Sequence, residues 1–139
     1  MLPGMVQHVV RADTTEPGDW SGTPFGHLDI RTLISEDRLR SEKIMVGQTI
    51  YGPGETHEHH LHPDAEEVVI VMSGHGWHRV GPDLFEIGPG DIVYVPANAE
   101  HSAGADEGDE SMVIIWVLGG APSLEAAGYE AVEALPRTP

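Results

Sequence analysis

The chain of 139 residues contains no cysteine, and this absence excludes several kinds of site. Disulfide bridges, thiolate zinc sites, iron–sulfur clusters and cysteine nucleophiles all need the thiol group. Basic residues are also few, since seven Lys and Arg stand against 23 Asp and Glu, for a formal net charge of −16. Binding to nucleic acid depends on Lys and Arg that displace counterions from phosphates, so the composition argues against DNA, RNA or an anionic membrane as a partner.

Long apolar segments are missing as well. No stretch approaches the roughly 20 apolar residues that a membrane-spanning helix needs. The first five residues lack the basic and apolar regions of a secretory signal. These absences predict a cytoplasmic protein, and the length predicts one domain that covers residues 1–139.

Glycine, proline and histidine are abundant, with 17, 11 and 9 residues respectively. Turn signals such as Gly52-Pro53-Gly54 and Gly88-Pro89-Gly90 recur at intervals of roughly eight to twelve residues, between short segments rich in Val, Ile, Thr and Tyr. This pattern is typical of an all-β sandwich or barrel. The predicted strands cover residues 28–34, 43–51, 58–62, 67–73, 76–80, 84–87, 91–95, 100–103 and 112–118.

The end of the chain departs from the strand pattern. Ser123 is a suitable N-cap for a short helix at residues 124–127, and Gly128 is a suitable residue to end it. We expect residues 129–135 to form one or two further helical turns. The acidic run at residues 106–110 predicts a solvated loop.

Histidines cluster in the middle of the chain. Within six positions stand His57, His59, His60 and His62. Side chains two apart on a strand share a face, so either His57 and His59 or His60 and His62 can point into a barrel together. Strand alternation alone leaves both alternatives open.

Residues 54–74 resemble the first motif of the cupin family, in which Gly, five residues, His, one residue, His, four residues, Glu, six residues and Gly follow one another. The fixed positions are filled by Gly54, His60, His62, Glu67 and Gly74. A register that starts from His57 would need glycine at position 51, where the chain has Tyr51. The resemblance therefore favours His60 and His62 as the inward pair.

Residues 90–101 are similar to the second cupin motif, with Gly90, Pro96 and His101 in the expected places. Asn98 stands where the family has glycine. We expect the turn to keep its shape because Asn adopts a positive φ more readily than most other residues. Ala105 replaces the family's closing Asn, which removes a hydrogen-bonding side chain from this loop.

The resemblance covers roughly residues 43–118 and points to the small single-domain bacterial cupins of the Cupin_2 type that bind a metal. It implies a double-stranded β-helix, or jelly-roll barrel, at about residues 28–118, with an N-terminal arm at 1–27 and a short helical tail at 119–139. It also implies that one divalent transition metal is bound by His60, His62, Glu67 and His101. Imidazole and carboxylate ligands suit Fe, Mn, Zn, Ni and Cu alike, so they do not select the metal.

The other histidines are expected to lie away from the metal. We expect His57 and His59 in a loop or on the outer face of a strand, with a contact to a ligand residue or to substrate as the alternative. We expect His8 and His27 on the surface. For His78 we expect a surface position, with the mouth of the barrel as the alternative.

Alternation also suggests a substrate pocket. If Glu67 points inward, so do Val69 and Val71, and the strand at 43–51 offers an inward set that is apolar except for Gln48. The pocket candidates are Gln48, Tyr94, Trp116 and His78, with plain core as the alternative for the two aromatic residues. The predicted pocket suits a small organic substrate.

Two kinds of function fit these expectations. A metalloenzyme would be either a dioxygenase that oxidises a chelating enol or phenol, or a Lewis-acid enzyme with isomerase or polyketide-cyclase chemistry. The alternative is a non-catalytic module that binds a small ligand or a metal, because the fold alone does not decide function. The predicted strand at 112–118 is apolar on both faces, which favours a homodimer, with cover by the tail as the competing explanation.

Overall fold

The computed structural model describes residues 7–133 and shows two five-stranded antiparallel sheets around one core. The nine strands predicted from the sequence are all present, and each end lies within two residues of its predicted position. The elements are β1 (Asp29–Ile34), β2 (Ile44–Tyr51), β3 (Thr56–Leu61), β4 (Glu66–Ser73), β5 (Gly76–Val80), β6 (Asp83–Ile87), β7 (Ile92–Val95), β8 (His101–Ala105), β9 (Met112–Gly119), α1 (Leu124–Ala127) and β10 (Glu130–Ala131).

The strand order of the first sheet is β1-β2-β9-β4-β7, and that of the second is β10-β3-β8-β5-β6. β9 is the central strand of the first sheet and pairs with β2 along its whole length and with β4 over residues 113–119. Its inner face carries the buried Met112, Ile114 and Leu118, while its outer face is half-buried. This position explains why the inner face of β9 is apolar. The all-β barrel expected from the sequence is confirmed.

The inward set of β2 differs from the expected one. Met45, Gly47, Thr49 and Tyr51 face the core, so Gln48 faces outward. Strands have a period of two, and an error of one residue in the register therefore exchanges the two faces completely. The structure also shows why position 47 is glycine, because a Cβ there would lie 2.0 Å from Cζ2 of Trp116.

A β-bulge interrupts the pairing of β3 with β8. His57 lies opposite Ala103, and His60 lies opposite His101, so three steps on β3 match two on β8. A bulge inserts one extra residue into a strand and shifts the alternation of side chains beyond it. As a result, strict alternation does not predict which histidines of β3 share a face.

The tail begins as expected and then departs from the expectation. The Ser123 side chain accepts a hydrogen bond from the Ala126 N–H at 3.0 Å, and Gly128 ends α1 with φ of 79°. The further helical turns expected at 129–135 are absent from the described part, which ends at residue 133. Residues 130 and 131 instead form β10 on the edge of β3, where they satisfy backbone groups that an edge strand would leave open.

The N-terminal arm packs along β1. Trp20 donates its indole N–H to the Ile30 carbonyl at 2.9 Å, and its ring lies against Phe25, with ring centroids 5.6 Å apart. Phe25 is buried in the core. Among residues 7–133, no helix has the length and apolar character needed to cross a membrane.

Candidate metal centre and cavity

Three imidazoles meet where the end of β3 faces the start of β8. His60 and His62 come from the first motif and His101 from the second, and each is at most 5% exposed. One ring nitrogen from each lies within 4.8 Å of the others. The structure therefore brings together three of the four residues that the resemblance assigned to the metal.

Backbone carbonyls orient all three rings. His60 Nδ1 lies 2.6 Å from the Glu58 carbonyl, His62 Nδ1 lies 2.7 Å from the Gly128 carbonyl, and His101 Nδ1 lies 2.9 Å from the Ala99 carbonyl. A carbonyl only accepts a hydrogen bond, so each Nδ1 must carry the proton. In the neutral ring, each Nε2 then has a free lone pair, which is the arrangement that metal-binding histidines usually show.

Glu67 reaches the same place from β4 in the other sheet. Its Oε1 lies 3.1 Å from His101 Nε2, although it does not belong to the group whose ligand atoms all lie within 4.8 Å. Burial opposes ionisation of Glu67, but the neighbouring His101, His62 and His78 hold its pKa below the ordinary value. Glu67 therefore supplies a negative charge beside the three imidazoles.

These residues fit a divalent transition metal. His101 Nε2 is buried and has no hydrogen bond of suitable geometry among the described residues, although Glu67 is close. Such an unpartnered polar atom costs free energy unless a ligand satisfies it. Burial also lowers the pKa of His60 and of His62, which keeps both rings neutral and able to bind a cation.

A cavity opens beside this centre, and most of its wall is apolar. Its aromatic side chains are Trp20, Phe25, Tyr51, Trp116 and Tyr129. Aliphatic side chains and Met45 complete the apolar wall, and Thr49 and Ser102 add hydroxyl groups. Among the described residues, no Lys or Arg lines the cavity.

Of the four pocket candidates, Trp116 and His78 line the cavity, whereas Gln48 and Tyr94 do not. Tyr94 is 56% exposed and donates a hydrogen bond to Glu66 at 2.7 Å. Tyr94 lies opposite Val68 in the β4–β7 pair, and cross-strand partners share a face. Because Glu67 points inward, Val68 and Tyr94 must point outward, so the assignment of Tyr94 to the pocket was wrong, as was that of Gln48.

His57 and His78 lie closer to the metal centre than expected. His57 lines the cavity, stacks on Phe25 with centroids 5.3 Å apart, and its ring centroid is 4.2 Å from that of His60. His78 is 2% exposed and lies parallel to His101, with centroids 6.1 Å apart. The bulge in β3 explains the position of His57, and the position of β5 beside β8 explains that of His78. Burial lowers the pKa of both residues to about 4, so both are neutral near pH 7.

The remaining histidines lie away from the cavity. His8 and His27 are exposed, as expected. His59 is absent from the cavity wall, yet it is 6% exposed and therefore not a surface residue. Its Nε2 lies 3.2 Å from Glu100 Oε2 and its Nδ1 lies 3.4 Å from Ser102 Oγ, so polar side chains of the neighbouring segment cover it.

Tyr129 is a site residue that the sequence analysis missed. Its ring stacks on His60, with centroids 4.8 Å apart and planes 17° apart, and its hydroxyl donates to Glu58. Burial raises the pKa of Tyr129 well above its ordinary value, and the bond to Glu58 raises it further. Tyr129 follows both motifs in the chain, so motif spacing carried no signal for it.

Two curated relatives match this chain over different lengths. The HTH-type transcriptional activator RhaR of Yersinia pseudotuberculosis is 39% identical over 70 residues, which cover 50% of this chain. The chain spans only 24% of the length of that relative. Dimethylsulfoniopropionate lyase DddW of Ruegeria pomeroyi is 27% identical over 134 residues, which cover 94% of this chain and 82% of the relative.

Solved structures and a family model agree on the fold. The polyketide cyclase RemF of Streptomyces resistomycificus superposes with a TM-score of 0.74 at 16% identity, over 94% of this chain and 89% of RemF. The family model described as Cupin domain matches residues 47–118, which include both histidine motifs. With more than half of its length matched by that model, and with a jelly-roll barrel that carries the motif histidines at one site, this chain belongs to the cupin family.

Proposed function

We propose that the protein is a metal-dependent enzyme that acts on a small organic molecule in the cavity. One observation carries this proposal. Three buried imidazoles are each oriented by a backbone carbonyl so that their free nitrogens converge beside Glu67, at the wall of an apolar cavity. A divalent ion held by His60, His62, Glu67 and His101 would supply Lewis-acid polarisation of a substrate carbonyl or carboxylate.

The cavity wall limits the charge of the substrate. Arg and Lys are the side chains that usually bind phosphate groups, and none of the described residues of either type lines the cavity. Aromatic and aliphatic side chains instead provide apolar surface. We therefore propose a small substrate with a carbonyl or a single carboxylate group and an apolar body, in preference to a nucleotide or a sugar phosphate.

The cavity also holds groups that can move protons. His57 and His78 are neutral imidazoles, and Tyr129 is hydrogen-bonded to Glu58. A neutral imidazole can take a proton from a substrate carbon beside a carbonyl and return it at another position. These groups favour a lyase, isomerase or cyclase reaction over a dioxygenase reaction. Similarity to a lyase over 94% of the chain supports this choice.

Hydrogen exchange at carbon tests the proposed reaction class. Protein loaded with Zn²⁺, Mn²⁺ or Fe²⁺ would be incubated in D₂O with a panel of small carboxylic acids and ketones, including dimethylsulfoniopropionate, under argon and under air. We expect deuterium incorporation or product formation under argon, measured by NMR, and none with metal-free protein. Turnover that requires O₂ and consumes it would overturn the proton-transfer assignment in favour of a dioxygenase.

A second candidate function is a ligand-sensing module without catalysis. The match to a transcriptional activator favours it, because 70 residues of this chain are 39% identical to part of that protein. Calorimetry with the same panel separates the two functions. Ligand binding with no exchange and no product for any compound would favour the sensing module over the enzyme.

A further inference from the structure

We propose that the tail segment, defined as residues 127–132, is part of the metal centre and that its docking is coupled to metal binding. This inference rests on the proposed metal site. The tail segment lies beyond residue 118, where the match to the family model ends. It nevertheless contacts both histidines of the first motif that are proposed to bind the metal, His60 and His62.

The first contact orients His62. The Gly128 carbonyl accepts the hydrogen bond from His62 Nδ1 at 2.7 Å. Gly128 has φ of 79° and ψ of 152°, a conformation that side chains with a Cβ strongly disfavour. A Cβ at this position would also lie 2.8 Å from Cδ of Pro63. Glycine is therefore the residue that allows the carbonyl to face His62.

The second contact holds His60 from two sides. The Tyr129 ring covers one face of the imidazole, with planes 17° apart. Its hydroxyl donates to the side chain of Glu58, and the backbone carbonyl of Glu58 accepts from His60 Nδ1 at 2.6 Å. Tyr129 thus acts on the ring directly and also fixes the residue that orients it.

The third contact is backbone pairing along the edge of β3. Ala131 lies opposite His60 in this pairing. Val132 N–H donates to the His59 carbonyl at 3.0 Å, and Asp64 N–H donates to the Ala127 carbonyl at 2.9 Å. These bonds bracket the stretch of chain that carries both ligands. If the tail segment undocks, the positions of His60 and His62 lose their support.

Coupling between the tail segment and the metal must be reciprocal. A two-residue strand such as β10 adds little stability by itself. If docking improves metal affinity by some factor, bound metal favours the docked tail by the same factor. Loss of a group that orients a metal-binding histidine typically weakens metal affinity about 10–100-fold.

Gly128→Ala tests the contact with His62, and Gly22→Ala is the matched control. Gly22 has a similar φ of 83°, lies far from the motifs in sequence, and a Cβ there would meet nothing within 4 Å. The dissociation constants of Zn²⁺ and Co²⁺ would be measured by competition with a chromophoric chelator. We expect Gly128→Ala to weaken binding of both ions about 10–100-fold and to change the visible spectrum of bound Co²⁺. Gly22→Ala should change neither.

Tyr129→Ala and Tyr129→Phe test the contact with His60 without altering the backbone. We expect Tyr129→Ala to weaken Zn²⁺ binding at least about tenfold. Tyr129→Phe keeps the stacked ring and should recover most of the affinity. Hydrogen exchange of the wild-type protein should slow at the amides of Asp64 and Val132 when Zn²⁺ is added, because these amides report docking of the tail segment.

The outcomes separate this inference from the proposed function. Two results would overturn the coupling but not the proposed metal enzyme. One is unchanged metal affinity in both Gly128→Ala and Tyr129→Ala, and the other is a hydrogen-exchange rate at Asp64 and Val132 that does not change when Zn²⁺ is added. Failure of the wild-type protein to bind Zn²⁺ and Co²⁺ would overturn both.

Discussion

At the scale of residues, the candidate centre depends on how each histidine is held. The three converging rings each donate from Nδ1 to a backbone carbonyl, which turns Nε2 toward the centre. His57 lies on the same cavity wall but bonds to the carbonyl of the adjacent Glu58 at 3.2 Å. It does not belong to the group of nitrogens within 4.8 Å. A histidine can therefore line the cavity, as His57 does, without belonging to the candidate metal centre.

The variants His62→Ala and His57→Ala test which histidines belong to the candidate metal centre. We expect His62→Ala to abolish stoichiometric Zn²⁺ binding, because one of the converging nitrogens is lost. We expect His57→Ala to retain it. Zn²⁺ should raise the melting temperature of the wild-type protein and of His57→Ala but not that of His62→Ala, since a ligand that binds only the folded state stabilises it. Calorimetric titration and thermal melts measure both quantities, and loss of Zn²⁺ binding in His57→Ala would contradict the assignment.

Burial of His78 predicts a pH-dependent stability of the metal-free protein. Its pKa is about 4 in the folded protein, against about 6.5 in an unfolded chain. The unfolded chain therefore binds the proton first as pH falls. The free energy of unfolding is unaffected by His78 above about pH 6.5 and decreases between about pH 6.5 and pH 4. Within this range, His78 alone lowers the free energy of unfolding by about 1.4 kcal/mol for each unit by which the pH falls.

Urea denaturation at pH 7, 6 and 5 measures this effect. His78→Phe should lose less stability between pH 7 and pH 5 than the wild-type protein does, because the titrating group is gone. His8→Phe, at an exposed position, serves as the control and should follow the wild-type protein. The same loss of stability in His78→Phe and in the wild-type protein would show that burial of His78 is not responsible.

Motif spacing was sufficient to identify the three histidines that converge at the candidate metal centre but not the residues around them. His60, His62 and His101 come together as the resemblance implied, with Glu67 beside them. Tyr129 lies at the centre because the tail folds back onto β3, and no short-range pattern in the sequence predicts this course of the tail. Local patterns report the periodicity of an element, whereas the cavity wall depends on which elements meet.

At the scale of elements, two irregularities shape the site. The bulge in β3 lets His57 and His60 share the cavity, and the turn before β8 places Asn98 with φ of 66°. The positive φ expected for Asn98 is thus confirmed. Asn98 N–H donates to the His62 carbonyl at 2.9 Å, so this turn also supports a residue of the candidate metal centre.

Asn98→Gly and Asn98→Val test the turn. Glycine adopts a positive φ freely, so we expect Asn98→Gly to change the free energy of unfolding little. A β-branched residue is strained in this conformation, and we expect Asn98→Val to lower the free energy of unfolding by about 1–2 kcal/mol. Urea denaturation of the three proteins measures the difference. Equal stability of Asn98→Val and the wild-type protein would argue against a strained turn.

The strands were predictable from sequence and the tail was only partly so. Turn residues such as Gly52-Pro53-Gly54 interrupt the chain at regular intervals, and β-rich segments lie between them, so nine strands could be placed. The face of each strand was harder to predict, as Gln48 shows, because a single residue of register decides it. β10 forms because an edge of β3 is open, which depends on tertiary structure.

At the scale of the whole molecule, the outer face of the first sheet is apolar in its middle, in a chain of net charge −16. Charged side chains lie at its margins, with Arg31 opposite Gln48 on the edge strand β1 and Glu66 exposed at the start of β4. Gln48, Ile115, Ile70 and Ile92 form one row across four strands. The described part of the tail packs on β3 of the other sheet and does not cover this face. A second copy of the chain therefore stays a prediction for this face, and two acidic copies would repel each other least at its apolar middle.

Charge on this face should prevent dimerisation. We expect the wild-type protein to elute with twice the 15.0 kDa mass of the chain in size-exclusion chromatography with light scattering. Ile70→Glu should shift it to the mass of one chain, because two carboxylates would meet in an apolar interface. Leu84→Glu, at a 63% exposed position of β6 in the other sheet, should leave the dimer intact. A monomeric wild-type protein would contradict the dimer.

The proposed function requires that this chain hold one metal ion between its two motifs. The most direct test is elemental analysis of protein that was purified without a histidine tag and without added metal, together with a His60→Ala/His101→Ala double variant. We expect about one ion of Fe, Mn, Zn, Ni or Cu per chain in the wild-type protein and almost none in the variant. A wild-type protein without metal, or a variant with the same metal content, would contradict this expectation.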